Sequence, residues 1–227
     1  MITYCFILSF LASLFDAPEP VVAVAHRQRI NKVLILGNSI TLHGPLPSLG
    51  WYGNWGMAAT CQANDYVHLL EKDMQTKNKE VKIMFDYVGN SFERKFWMFD
   101  TADFVKYRNF APDLILIRLG ENIEDSLASK YDLQIHLRRM IRFVKGDQPA
   151  TVVCTGSFWP RPQVDKRIGQ LCEEQHYMFI PMRDLYDDPL NLATKEFKNW
   201  GVAQHPSDHG MQQIETRIWE NIQTLFE

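Results

Sequence analysis

The sequence predicts an α/β fold, a three-layer α/β/α sandwich built on a five-stranded parallel sheet. Three observations carry that prediction. Short apolar runs recur five times, and amphipathic stretches at helical spacing separate them. The chain has 227 residues, 46% hydrophobic and 22% charged, enough for one well-buried core. Strands buried on both faces read as continuous apolar runs, and parallel neighbours need helix-length crossovers, so the alternation favours a parallel sheet with helices on both sides.

Taken in order, the first strand is KVLILG, 32–37, running straight into Gly37-Asn38-Ser39. The segment 50–59 then carries Trp51, Tyr52 and Trp55, and 56–70 (GMAATCQANDYVHLL) reads as a core-facing helix. VKIMFDYV, 81–88, is the second strand and DLILIRL, 113–119, the third. Over 131–145, Leu133, Leu137, Met140, Ile141 and Val144 fall on one helical face. ATVVCT, 150–155, and YMFIP, 177–181, complete the five strands. The last helix starts after Ser207, a good N-cap, and lines up Met211, Ile214, Ile218, Ile222 and Leu225. Right-handed crossovers then cover both faces. No linker divides residues 30–227, which read as one domain.

Residues 1–25 differ from the rest. An apolar run, ITYCFILSFLASLF, leads to the small-x-small triplet Ala23-Val24-Ala25, the pattern of a secretory leader, although a positive n-region is missing. Secretion or a periplasmic location is the expectation; a cytoplasmic protein whose N-terminal segment packs on the domain is the alternative. The run is short for a membrane span. Removing residues 1–25 takes away Asp16 and Glu19 and no Lys or Arg, moving the charge from −3 to −1.

Composition excludes several functions. The scattered lysines and arginines form no basic stripe, which argues against nucleic acid as a partner. Neither G-x-G-x-x-G nor G-x-x-x-x-G-K-[ST] follows the first strand, against a nucleotide site. Cys61, Cys154 and Cys172 have no C-x-x-C spacing and read as buried free thiols. No His/Cys cluster has zinc-ligand spacing, so neither a metal nor an organic cofactor is expected.

In a parallel sheet the loops after each strand gather along one edge, where open α/β folds bind ligands. Those loops begin Gly37-Asn38-Ser39, Gly89-Asn90-Ser91, Gly120-Glu121-Asn122 and Gly156-Ser157-Phe158-Trp159, and 199–209 adds His205 and His209. A serine, an asparagine, backbone N–H groups and a histidine are the parts of an acyl-transfer site.

Three blocks in order, LGNSIT, RLGENIED and GVAQHPSDHGM, resemble the G-D-S, G-x-N-D and D-x-x-H-P blocks of the SGNH (GDSL-type) hydrolases over about 32–215. The resemblance implies a flavodoxin-like sheet of order 2-1-3-4-5, with Ser39 as nucleophile, Asn122 as oxyanion donor and His205 as general base. A second-block N–H completes the oxyanion hole, from Gly89 or from the backbone of Ser91 or Phe92. Three departures stand out: Asn38 replaces the usual Asp, the second block YVGNSFE does not fix its donor on Gly89, and Val202 stands where the triad acid belongs. A backbone carbonyl, Glu196, Asp188 or the Gln204 side chain is left to orient the imidazole.

Among the histidines His205 is favoured as base because Pro206 holds it extended at a loop edge. His209 belongs to the first turn of the last helix, aimed at solvent, and His43 is a substrate contact or a loop residue. Arg118, inside an apolar strand, needs a partner such as Glu121. Trp51, Tyr52 and Trp159 are candidates for sugar-stacking surfaces. The expected function is a serine esterase removing short acyl groups, acetyl above all, from a carbohydrate. The alternatives are a weak or inactive carbohydrate-binding domain on the same fold, and a lipid-type esterase.

Overall fold

The computed structural model describes residues 29–227; the leader assigned to 1–25 lies outside the described residues. Five strands, β1 (Lys32–Gly37), β2 (Lys82–Tyr87), β3 (Leu114–Arg118), β4 (Thr151–Thr155) and β5 (Met178–Ile180), form one sheet in the order β2-β1-β3-β4-β5. Every pairing is parallel. The period of two sorts the strands' side chains. Leu34, Leu36, Ile115, Ile117, Val152 and Cys154 enter one core, while Val33, Ile35, Leu114, Leu116 and Val153 enter the other.

Among the described residues there are seven α-helices: α1 (Tyr66–Lys77), α2 (Val105–Phe110), α3 (Asp125–Lys130), α4 (Leu133–Lys145), α5 (Pro162–Gln175), α6 (Trp200–Ala203) and α7 (Asp208–Ile222). Helices α4 and α5 cover the even-numbered face of β1, and α1 and α7 the odd-numbered face. The apolar stripe of α4 buries Leu133, Leu137, Met140, Ile141 and Val144, as its spacing predicts, and the helix stops at Gly146 with φ +58°. Ser207 caps α7, its side chain accepting from the Gly210 N–H at 3.2 Å. Among the described residues no helix is long and apolar enough to cross a membrane.

One expected helix is shortened. Of 56–70 only the part from Tyr66 is α-helical. Ala58 has φ +78°, and the Gly56 N–H donates to the Asp65 carboxylate at 3.1 Å. A Cβ on Gly56 would stand 2.5 Å from the Ile40 carbonyl oxygen, so the chain passes too close to the β1 turn to coil there. Asp65 then caps α1 by accepting from the His68 N–H at 2.9 Å. Cys61 falls in this non-helical stretch and is exposed, correcting its assignment as a buried thiol, whereas Cys154 and Cys172 are buried.

Candidate active site

The site sits where β1 ends between β2 and β3, at the carboxyl edge of the sheet. Gly37 ends β1 because Thr41 folds back beneath it; a Cβ at 37 would meet Thr41 Oγ1 at 1.8 Å. Asn38 closes the turn. Its carbonyl accepts from the Thr41 and Leu42 N–H groups at 2.9 and 3.0 Å, and its Oδ1 accepts from the Ile40 N–H at 3.2 Å. Ser39 stands at the apex, its carbonyl holding the Met57 N–H at 2.8 Å.

Ser39 Oγ lies 2.8 Å from His205 Nε2. On its other side the imidazole Nδ1 lies 2.8 Å from the Gly201 carbonyl oxygen. A carbonyl only accepts, so Nδ1 carries the proton and Nε2 is left bare to accept from the serine hydroxyl. The group that meets Nδ1 is thus a backbone carbonyl in α6, not Glu196, Asp188 or the Gln204 side chain. Val202 itself is buried in an apolar cluster with Trp51, Met57, Ala58 and Ala193. A carboxylate there would be desolvated without a partner, which accounts for valine at this position. Burial pushes the His205 imidazole down to about 4, against the Gly201 hydrogen bond, with the nearby His43 adding to the depression.

Beneath the serine lies a buried polar network. Asn38 Nδ2 donates to Glu121 Oε2 at 2.5 Å and to Glu93 Oε1 at 3.1 Å. Arg118 donates to Glu121 Oε1 at 2.5 Å, and both residues are buried, as the pairing of Arg118 in its apolar strand requires. Glu121 Oε1 also accepts the Phe158 N–H at 2.6 Å. Asparagine at 38 follows from this arrangement. An aspartate has no donor for either neighbour and would bring a third carboxylate into the cluster.

Asn122 follows β3 through Gly120, whose φ of +144° is open to glycine alone. Its Nδ2 donates to Glu93 Oε2 at 2.7 Å, and its Oδ1 accepts from Arg94 at 3.3 Å. Glu93 Oε1 also accepts the Gly120 N–H at 2.6 Å. Burial, then the neighbouring Glu121, push the Glu93 carboxyl up, opposed by the hydrogen bonds from Gly120, Asn122 and Asn38. In the second loop the Phe92 N–H is bound to the Val88 carbonyl at 2.8 Å, which removes Phe92 as an oxyanion donor. The N–H groups of Gly89 and Ser91, and that of Ser39, bond no other backbone carbonyl among the described residues.

The remaining candidates separate. His43 is half-buried, with Nδ1 2.6 Å from the Gly44 carbonyl oxygen and its ring edge-on to Tyr87. His209 points away from Ser39, with Nδ1 2.8 Å from Asn191 Oδ1. Trp51 is corrected: at 2% exposure it packs against Trp55 and Phe197 and has no face for a ligand. Tyr52 is 73% exposed. Trp159 stands edge-on to His205 with ring centroids 5.0 Å apart. It lines an open cleft of about 280 Å³ with Tyr186, Trp200, Gly201 and Gln204. Trp200, Tyr186 and Glu93 lie outside the three motif blocks, while Gly201 opens the third of them and supplies the backbone carbonyl left as one way to orient the imidazole. Among the described residues no three His, Cys, Asp or Glu side chains are grouped to hold a metal ion.

Solved structures share this architecture. A protein described as a GDSL-like lipase from Parabacteroides merdae superposes with a TM-score of 0.56 at 18% identity, over 85% of this chain and 95% of its own. Another so described, from Bacteroides uniformis, gives 0.54 at 17% identity over 86% and 96%. The fold is that of the GDSL-type hydrolases. A family two carbohydrate esterase from Cellvibrio japonicus gives 0.50 at 14% identity, covering 88% of this chain and 62% of that one. No family model matches the sequence, and no curated protein matches it. On the GDSL-type fold the turn after β1, the loops after β2 and β3 and the segment before α7 all meet at one edge, where Ser39 and His205 touch.

Proposed function

We propose that this chain is a serine esterase that removes short acyl groups, acetyl foremost, from an acylated carbohydrate. The observation that carries it is the Ser39 Oγ to His205 Nε2 contact of 2.8 Å, with Nδ1 pinned by the Gly201 carbonyl. Ser39 Oγ attacks the ester carbonyl carbon while its proton passes to Nε2. The oxyanion takes hydrogen bonds from the Ser39 N–H, from an N–H of the Gly89–Ser91 loop and from the Asn122 amide. The ester C–O bond then breaks as Nε2 returns the proton to the departing alcohol. Water, deprotonated at the same nitrogen, adds to the acyl carbon; the C–Oγ bond then breaks, the carboxylic acid leaves, and Nε2 returns its proton to Ser39 Oγ.

The carbohydrate half of the reading rests on the aromatic cleft. Trp159, edge-on to His205, lines the cleft together with Tyr186, Trp200, Gly201 and Gln204, and flat apolar rings suit the faces of sugars. The likeness to a carbohydrate esterase supports the same choice. Export is proposed on the leader 1–25 alone.

A fluorophosphonate probe and an ester panel test the reading. The probe should label the wild type and not Ser39→Ala, and acetyl esters should turn over much faster than octanoyl ones. Absence of labelling in a folded wild type would return the chain to the binding-only reading. Rates that climb with acyl length would replace the carbohydrate substrate by a lipid ester.

A further inference from the structure

An asparagine amide serves an oxyanion only if its NH2 end faces the substrate, and amide rotation exchanges the NH2 and carbonyl ends. Two neighbours in the loop after β2 grip the two ends of the Asn122 amide. Glu93 Oε2 accepts from Nδ2 at 2.7 Å, and Arg94 donates to Oδ1 at 3.3 Å. A carboxylate accepts and a guanidinium donates, so the flipped amide would set carbonyl against carboxylate and NH2 against guanidinium. Glu93 is itself fixed, because its other oxygen accepts from the Gly120 N–H at 2.6 Å and from Asn38 Nδ2 at 3.1 Å. It is 1% exposed, and besides these three donors the Glu121 carboxylate lies near it.

We infer that Glu93 and Arg94 are positioning residues that lock the Asn122 amide with its second N–H free for the oxyanion, and that Glu93 ties this lock to the Ser39 turn through Asn38. The inference rests on the esterase reading and adds to it. Glu93 touches the turn of the nucleophile and the oxyanion donor through one carboxyl group, so the two halves of the site are held at a fixed separation. Arg94, exposed at the rim, supplies the second grip without a role in the core.

The test is a double-mutant cycle on 4-nitrophenyl acetate with Glu93→Gln, Arg94→Ala and Asn122→Ala. Asn122→Ala should lower kcat about 10²–10³-fold, the usual cost of an oxyanion donor. A glutamine at 93 keeps the volume but must turn an NH2 group toward one of its three donors. Glu93→Gln should therefore lower kcat at least about tenfold with KM changed less than about twofold, and Arg94→Ala should lower kcat several-fold. In the Asn122→Ala background Arg94→Ala should cost less than about twofold more, because the residue through which it acts is gone, and Glu93→Gln should keep only the part of its loss that runs through Asn38 to the Ser39 turn. A full multiplicative loss in that background, or unchanged kcat in both single variants, overturns the inference. Should Glu93→Gln fail to fold, the Arg94→Ala cycle alone decides by the same criterion. Fluorophosphonate labelling keeps the two levels apart. A wild type unlabelled at Ser39 sinks the esterase reading, whereas a labelled wild type with additive effects sinks only the clamp.

Discussion

His205 has a peptide carbonyl behind its Nδ1 where a full triad has a carboxylate. Both fix the tautomer, but only a carboxylate brings a full negative charge to balance the imidazolium. With burial as the larger influence, the imidazole is held down to about 4. The base must be neutral to act, so the acid limb of kcat/KM should have its midpoint near pH 4 rather than 6.5, leaving activity flat from about pH 8 to 5. A midpoint between 6 and 7 would show that a charged partner reaches the ring. Glu93 is the other group able to shape that limb, since protonation would break its hold on Asn122. The two are separable, because a limb that belongs to His205 persists in Asn122→Ala. The same shift acts on stability. Between about pH 4 and 6.5 the unfolded chain binds the proton that folded His205 refuses, so this residue's contribution to stability falls as pH drops through that window.

At the scale of elements, the pair α1 and α7 carries a second titration of opposite sense. Glu215 on α7 is 3% exposed and lies beside Asp73 on α1. Burial first, then Asp73, pushes the Glu215 carboxyl up to about 7. The fold keeps a proton that the unfolded chain releases above about 4.5, so stability falls as pH rises from there to about 7. Glu215→Gln keeps a donor toward Asp73 without the titration. The wild-type Tm should drop from pH 5 to 8 relative to the variant, and parallel Tm profiles would refute the shared proton. Elements like these were legible in the sequence because burial imposes a period: α4 and the apolar face of α7 follow it residue by residue. The stretch before α1 was not, because its backbone is set by the close pass of Gly56 to Ile40, a contact between distant segments. The site divides the same way. Ser39 is legible at the end of the first strand and His205 through the resemblance of GVAQHPSDHGM, but the Gly201 carbonyl is a backbone group that no side-chain letter reports. Glu93 reads as an ordinary loop charge, and Trp51 reads as surface until Phe197 and Val202 are packed on it.

For the molecule as a whole, the proposed site joins an early and a late part of the chain. The turn after β1 and the loops after β2 and β3 supply Ser39, the N–H groups and Asn122, whereas α6 supplies both the Gly201 carbonyl on His205 and, with Trp159 and Tyr186, the lining of the cleft. On the esterase proposal Trp200 is the residue with which to separate recognition from catalysis. It is 73% exposed, so its removal leaves the core intact. Trp159 is a poorer probe because its ring stands against His205 and its Nε1 donates to the Gln204 carbonyl at 2.9 Å. Ring stacking is worth about 0.5–1.5 kcal/mol, which converts to roughly 2- to 13-fold in binding. Trp200→Ala should therefore raise KM for an acetylated oligosaccharide by that factor, with kcat nearly unchanged and Tm within a degree or two of wild type. On 4-nitrophenyl acetate, which has no sugar to stack, KM should not move. Equal effects on both substrates would mean that Trp200 shapes the site itself rather than the sugar's seat. A gain in octanoyl ester turnover would mean that the indole screens an acyl-chain path, and the cleft would then belong to the acid half of the ester instead of the alcohol.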